Sequence, residues 1–215
     1  MHWLDPDYLP EHSGTFERFL LNPHGETDGM ILSDGTEVHF PPHLSAELLT
    51  TVRPGTMPKV KIRGVRPRGS QLIAAVAIDT EGKRILDHGP DKRREGKKKD
   101  KHGSAPKRAP MRAEGIVRCV LHGPKGEARG VLLEDGTSIR FAPHEAEHIA
   151  RLLSKGKKLA SSGEGFESTL GTVIEAREIG ASADDLHPIE HKKPKHDNHD
   201  KHDKPGKERS EARSA

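Results

Sequence analysis

The sequence predicts a mainly β protein that contains two tandem five-stranded barrels, each with element order β-β-β-α-β-β, a disordered linker and a disordered C-terminal tail. The first observation behind this prediction is an internal repeat: residues 14–43 and 115–144 align at a constant offset of 101 residues without a gap. The aligned pairs keep their turn residues, namely Pro23/Pro124, Gly25/Gly126, Asp34-Gly35-Thr36/Asp135-Gly136-Thr137 and Pro42-His43/Pro143-His144. A repeat of about 66 residues is too long for a solenoid unit and suits a small domain.

The second observation is a segregated composition. Of the 215 residues, 31% are hydrophobic and 32% are charged, too poor a balance for one core of that length. The apolar residues concentrate in the two copies, and almost none follow Leu86 in the linker. The predicted boundaries are an N-terminal arm (1–12), a first domain (13–79), a basic linker (80–112), a second domain (113–179) and a tail (180–215).

Each copy gives the same succession of elements. Strands are expected near 15–21 and 28–33, followed by a third strand in which Val38 and Phe40 alternate with polar residues. Asp34-Gly35 between apolar runs predicts a type I′ hairpin turn. A helical stripe then begins after Pro42, and strands near 58–64 and 71–79 complete the first copy. The equivalents of these last two strands lie near 159–165 and 172–179.

This chain order resembles that of the OB fold, a small Greek-key barrel. The Pro-x-Gly-Glu, Asp-Gly-Thr and Phe-x-Pro-His motifs are also similar to those of small uncharacterised bacterial proteins with OB-like domains, a group that implies no activity. An SH3-like barrel is the competing interpretation, but a helix between strands three and four favours the OB order. In OB folds the face of strands two and three, with the loops that follow strands one and four, forms the usual oligonucleotide groove.

Cations line the predicted fourth strand of the first copy. Lys59, Lys61 and Arg63 alternate and so share one face, and Arg66 and Arg68 continue into the next loop. These five side chains could follow a phosphate backbone towards the face of strands two and three. The alternative is that they mark the solvated face of an edge strand.

The second copy offers an internal comparison. At the offset of 101, the five positions hold Ala160, Ser162, Glu164, Glu167 and Thr169, so no cation remains. We therefore expect the first copy to contact a polyanion and the second to be structural or to meet a protein partner.

The linker adds to this basic character, since residues 80–112 carry a net charge of +7 in a chain whose net charge is +3. Flexible basic segments bind nucleic acid by counterion release with little sequence preference. The linker residues assigned to binding are Lys92, Arg93, Arg94, Lys97, Lys98 and Lys99. A solubilising spacer is the alternative.

Aromatic side chains give little support for base stacking, the usual means by which OB folds bind single strands. Phe16, Phe19, Phe40 and Phe141 occupy apolar positions and are expected in the core, and Trp3 and Tyr8 lie outside the repeats. Binding is therefore expected to be electrostatic, salt-sensitive and without sequence-specific readout.

The tail is rich in histidine and aspartate, which can ligate divalent metals weakly. The candidate ligands are His196, Asp197, His199, Asp200 and His202. A solvated low-complexity tail is the alternative.

Other function classes find no support. The lone Cys119, expected as a buried thiol, excludes an internal disulfide framework, and no apolar run approaches the roughly 20 residues of a membrane span. With no P-loop, dinucleotide fingerprint, acid–base pair or cofactor motif, the chain is expected to be non-enzymatic, without a cofactor, and cytoplasmic. The function predicted is non-specific binding of RNA or single-stranded DNA; a protein-interaction scaffold and a weak metal buffer are the alternatives.

Overall fold

The computed structural model describes residues 5–53, 55–67, 72–89, 108–123 and 125–189. The first copy forms strands β1 (Glu11–Leu21), β2 (Thr27–Leu32), β3 (Glu37–His39), β4 (Lys59–Val65), β5 (Leu72–Thr80) and β6 (Lys83–Leu86). A helix, α1 (Ser45–Thr51), follows β3. The second copy forms β7 (Ala109–His122), β8 (Ala128–Leu133), β9 (Ser138–Arg140), β10 (Lys158–Ser168), β11 (Gly171–Gly180) and β12 (Leu186–Pro188).

Each copy closes into a five-stranded barrel. In the first copy the hydrogen-bonded order is β3-β2-β1-β4-β5, and a parallel pairing of β3 with β5 closes the sheet. In the second copy β7, β8, β9, β11 and β10 repeat this order, with β9 parallel to β11. This is the strand order of the OB fold, so the predicted fold class is confirmed. We call the unit of β1–β6 barrel one and the unit of β7–β12 barrel two.

Both barrels are filled by the apolar residues that the sequence pattern selected. Phe16, Phe19 and Phe40 lie in the core of barrel one, where the rings of Phe16 and Phe19 are 4.7 Å apart, and Phe141 lies in the core of barrel two. The predicted helical stripe of barrel one is confirmed by Leu48 and Val52, both fully buried.

The corresponding segment of barrel two consists of short 3-10 turns at Pro143–Glu145 and Ala150–Leu152. Ile149 and Leu153 are still buried there. The apolar spacing thus determined which side chains face the core but not whether the backbone bonds close at three or four residues.

The Asp34-Gly35 turn differs from the prediction. Only Gly35 has a positive φ, of 83°, so the loop is a three-residue connection with glycine in the left-handed position and not a type I′ turn. The side chain of Asp34 accepts a hydrogen bond from the backbone N–H of Thr36 at 2.8 Å, and Asp135 repeats the contact with Thr137 at 2.8 Å. This side-chain acceptor stabilises the turn without a positive φ at the aspartate.

The strands extend beyond the predicted boundaries. Strand β1 begins at Glu11, within the predicted arm, while β6 and the first residues of β7 lie in the predicted linker, and β12 lies in the predicted tail. The signal at β6 is short: Thr80-Glu81-Gly82-Lys83 makes a two-residue hairpin in which Glu81 and Gly82 both have positive φ. Ile85 then fills the core of barrel one, and Ile189 does so in barrel two just after β12.

The barrels pack through a pseudo-symmetric interface. Leu20 and Ile31 of barrel one form one buried cluster with Leu121 and Leu132 of barrel two, and these are repeat equivalents at the offset of 101. Next to the cluster, Arg118 donates two hydrogen bonds to the carboxylate of Glu17, which is its own repeat equivalent. We call this contact the inter-barrel interface. It has the isologous form of a two-fold dimer, made here within one chain.

Candidate nucleic-acid interface

Strand β4 carries the predicted cations on its outer face. Its side chains alternate between exposed and buried, with Val60 and Ile62 in the core and Lys59 and Lys61 in solvent. Arg63 lies on the same face but is half-buried, and Arg66 is exposed just after the strand. Arg68, the six linker cations and the five metal-ligand candidates of the tail lie outside the described residues.

Glu11, placed in the N-terminal arm by sequence reasoning, is opposite Arg63 in the pairing of β1 with β4. Its carboxylate oxygens lie 2.6 Å from Nη2 of Arg63 and 3.8 Å from Nζ of Lys61. The sequence did not associate these groups, because strand register places them together across 52 residues. Arg63 is therefore neutralised, and the three cations are not equivalent.

A groove of about 740 Å³ opens beside these residues, between the first half of β1, the start of β4 and the β5–β6 hairpin. Lys59 and Lys61 line it together with Lys83 and Arg84, two cations that sequence analysis left in the linker. Their place follows from β6, which pairs Arg84 with Asp79 on the adjacent strand. The prediction of cations on this surface therefore misses half of the cations that line the groove.

Acidic residues moderate the charge of this groove. Arg84 contacts Asp79 at 2.8 Å and Asp7 at 2.9 Å, and these hydrogen bonds raise the pKa of the guanidinium above its ordinary value. Lys83 contacts Glu47 of α1 at 3.1 Å. Lys59 has no ion pair among the described residues, so Lys59, the distant Lys61 pair and exposed Arg66 supply the accessible positive charge.

The groove does not continue onto the face of strands two and three, contrary to what the OB resemblance implied. Ile31 of β2 is buried in the inter-barrel interface, and the side chains of Glu37 and His39 of β3 are only 4% and 11% exposed. Barrel two covers this face of barrel one. The groove beside β4 stays open because the first half of β1 turns away from the interface and pairs with β4, while its second half pairs with β2.

Ionisable groups are buried within that covered face. The carboxylate of Glu37 accepts hydrogen bonds from the backbone N–H of His122 at 3.0 Å and contacts Nδ1 of His122 at 3.1 Å and Nε2 of His39 at 3.1 Å. Burial raises the pKa of Glu37, but the bonds from His122 and His39 outweigh it and leave the pKa below the ordinary value. The same contact raises the pKa of His122.

The comparison between the copies needs a correction. In the structure Lys158 pairs with Ile116 as Lys59 pairs with Thr15, so the strand-four offset is 99, because barrel one has two additional residues before β4. The equivalent of Lys59 is thus a lysine and not Ala160. Lys158 is ion-paired with Glu114, whereas Ala160 and Ser162 replace Lys61 and Arg63. The contrast between the two faces remains, but it is smaller than the constant offset suggested.

Cys119 lies in β7 as predicted, but its thiol is half-buried rather than enclosed in the core. Burial, followed by the nearby Glu37 carboxylate, raises the pKa of this thiol. Within the described ranges no cluster of three or more His, Cys, Asp or Glu side chains is placed to hold a metal ion. None of the helices in the described part of the chain is long and apolar enough to cross a membrane.

Comparison with known proteins gives limited information. No family model and no curated protein matches the chain. Among solved structures it is similar to a deletion mutant of the single-stranded DNA-binding protein from Thermus aquaticus, at 15% identity and a TM-score of 0.25, over 86% of this chain and 96% of that chain. A TM-score this low carries no argument about function, and the fold assignment rests on the strand order described above.

Proposed function

We propose that this chain is a cytoplasmic, non-enzymatic protein that binds single-stranded nucleic acid, RNA or DNA, weakly and without sequence preference. The observation that carries the proposal is the open groove of barrel one, where Lys59, Lys61, Lys83 and Arg84 line one concave surface. Phosphate contacts of this kind position a strand without reading its bases.

The linker strengthens this proposal through its place in the chain. Strand β6, which borders the groove, leads directly into the segment that contains Lys92, Arg93, Arg94, Lys97, Lys98 and Lys99. A strand bound in the groove would therefore be near a second, flexible source of positive charge. The acidic partners of Arg63 and Arg84 limit the affinity, so we expect a dissociation constant in the range of about 10⁻⁶ to 10⁻⁴ M at physiological salt.

The test is fluorescence anisotropy of a labelled single-stranded oligonucleotide of mixed sequence, as DNA and as RNA, over a salt series. The double variant Lys59→Ala/Lys61→Ala should bind more weakly, with a slope of log K against log salt that is smaller by about 0.7 for each phosphate that the variant no longer neutralises. The triple variant Lys97→Ala/Lys98→Ala/Lys99→Ala tests the linker separately.

The matched control is Lys158→Ala, because Lys158 is the structural equivalent of Lys59 and is already ion-paired with Glu114. It should leave both affinity and slope unchanged. Equal losses of affinity in Lys158→Ala and Lys59→Ala/Lys61→Ala would mean that the groove is not the site.

The near-neutral groove also favours the alternative of a protein-interaction module, for which barrel two offers a surface. The remaining alternative, weak metal capture by the tail, has a direct test: calorimetry with Zn²⁺ on the full chain and on a chain ending at Ile189. Unchanged uptake after truncation would dismiss it. The end point follows β12, since ending at residue 179 would remove a strand of barrel two.

A further inference from the structure

The inter-barrel interface leaves two grooves, one on each side of its pseudo-two-fold axis. The smaller groove, of about 380 Å³, lies where Glu17, Arg18 and Phe19 of barrel one meet the Asp135-Gly136 turn of barrel two. The larger, of about 840 Å³, lies where Arg118, Cys119 and Val120 of barrel two meet Gly35 of barrel one. We call them the filled groove and the open groove, since these lining residues are repeat equivalents and only the occupancy differs.

A hairpin of barrel two occupies the filled groove. Leu170, in the turn between β10 and β11, packs against the core of barrel one, and the ring of Phe166 covers the backbone of Gly25. The hairpin segment, residues 164–175, contains three glutamates and no lysine or arginine. Its chemistry is therefore an acidic chain with a leucine anchor.

The open groove has no such occupant among the described residues, and its side chains are smaller. Val120, Ala128 and Ala150 replace Phe19, Thr27 and Leu49 of barrel one. With Ala146 and Leu153 they make an apolar floor.

The turns that border the two grooves differ in the same direction. A Cβ added at Gly25 or Gly136 would meet the ring of Phe166 or the guanidinium of Arg18. At the equivalent Gly126 and Gly35, an added Cβ would meet no described atom within 4 Å.

The charge around this apolar floor is also asymmetric. Lys125 and Lys155 line the open groove and have no ion pair among the described residues, against one unpaired carboxylate, that of Glu147. The other charged groups there are satisfied: Arg118 by Glu17, and Glu37 by His122 and His39. An apolar floor bordered by two free lysines suits an acidic segment with an apolar anchor, which is the chemistry of the hairpin in the filled groove.

We propose that the open groove of barrel two is a docking site for an acidic peptide segment of a partner protein, anchored by one leucine-like side chain. The leucine would lie over Val120, Ala146 and Ala150, and carboxylates would face Lys125 and Lys155. This site is separate from the groove beside β4 and does not depend on nucleic-acid binding.

The probe for the test is a labelled synthetic peptide with the sequence of residues 164–175, EGFESTLGTVIE, titrated with the full-length protein in an anisotropy assay. We expect saturable binding, and at least a tenfold weaker affinity for the same peptide with alanine in place of its leucine. Ala150→Leu should also weaken binding at least tenfold, because Leu49 occupies that position in barrel one and shows that the fold accepts it.

Charge variants give a test with opposite signs: Lys155→Glu should weaken peptide binding, and Glu147→Lys should strengthen it. Arg151→Leu is the matched control, because it adds an apolar side chain to the same segment but lines a different surface. It should leave the affinity unchanged.

Three results would overturn the proposal. They are the absence of saturable binding, equal binding by Ala150→Leu and the parent, and complete displacement of the peptide by a single-stranded oligonucleotide. The last would make the open groove a nucleic-acid site.

Discussion

At the residue scale, Glu37 is the side chain on which most polar contacts of the inter-barrel interface depend. It is 3% exposed and serves as acceptor for groups from both barrels. Because a buried acceptor of this kind satisfies donors that have no access to water, its loss costs more than that of a surface carboxylate.

Replacing this carboxylate should therefore destabilise the whole chain. We expect Glu37→Ala to lower the free energy of unfolding by about 2–3 kcal/mol, since it leaves the backbone N–H of His122 without its acceptor. Urea denaturation followed by circular dichroism measures this. Glu134→Ala, at an exposed position, is the control and should change stability by less than about 0.5 kcal/mol. Equal effects would mean that the Glu37 contacts contribute nothing.

The same pair predicts a pH dependence of stability. Since the folded state raises the pKa of His122 above 6.5, its contribution is complete below about pH 6.5 and is lost as the pH rises through the raised pKa. The pKa of Glu37 is lowered from 4.5, so its contribution is present above that value and is lost as the pH falls through the lowered pKa. The pair thus stabilises the interface most between these two values.

We therefore expect the melting temperature of His122→Gln to lie furthest below that of the parent near pH 6 and to approach it near pH 9. Differential scanning fluorimetry over a pH series measures the difference. A difference that stays constant from pH 6 to pH 9 would show that the charge of His122 plays no part.

At the element scale, β4 illustrates how a strand can be identified without its environment being known. The alternation of Lys59, Lys61 and Arg63 predicted one exposed face, and the structure confirms alternate burial along the strand. Glu11 could not be predicted, because its position beside Arg63 depends on the register of β1 against β4. The same holds for β6, where a hairpin of two residues brings Lys83 and Arg84 to the groove.

Gly64 shows a second requirement of this strand. It lies at a bulge between β4 and β5, where an added Cβ would clash with the backbone carbonyl oxygen of Ala74. Gly163 occupies the equivalent bulge in barrel two and has the same close approach, to Glu175.

Gly64→Ala should therefore destabilise barrel one by about 1–3 kcal/mol, because a backbone atom cannot move aside as a side chain can. The comparison variant is Gly115→Ala, whose added Cβ would meet only a flexible leucine side chain at 3.2 Å. Chemical denaturation of both variants tests this, and equal stability of the two would contradict the bulge argument.

At the scale of the whole molecule, the inter-barrel interface makes two repeats into one folded unit. Its sequence differences explain why barrel one meets barrel two: Glu17 faces Arg118, where two identical copies would place like charges together. The pairing is therefore specified by charge and anchored by the four apolar side chains around the axis.

The two central leucines should be of similar importance, since the axis relates them. We expect Leu20→Ala and Leu121→Ala each to cost about 2–5 kcal/mol, and their combination to cost less than the sum because both remove the same cluster. Equilibrium denaturation of the two single variants and the double variant gives this coupling. Strict additivity would indicate that the barrels are not packed through this cluster.

The sequence by itself determined the repeat, the order of the strands, the residues of both cores and the basic strand of the first copy. These follow from local physics, because turn residues and the period of apolar side chains act over a few positions. Only the tertiary structure decided that barrel two covers the face of strands two and three, that Glu11 neutralises Arg63, and that one groove is filled by Leu170 while its equivalent is open. Each of these depends on contacts between residues that are far apart in the chain, which no local pattern encodes.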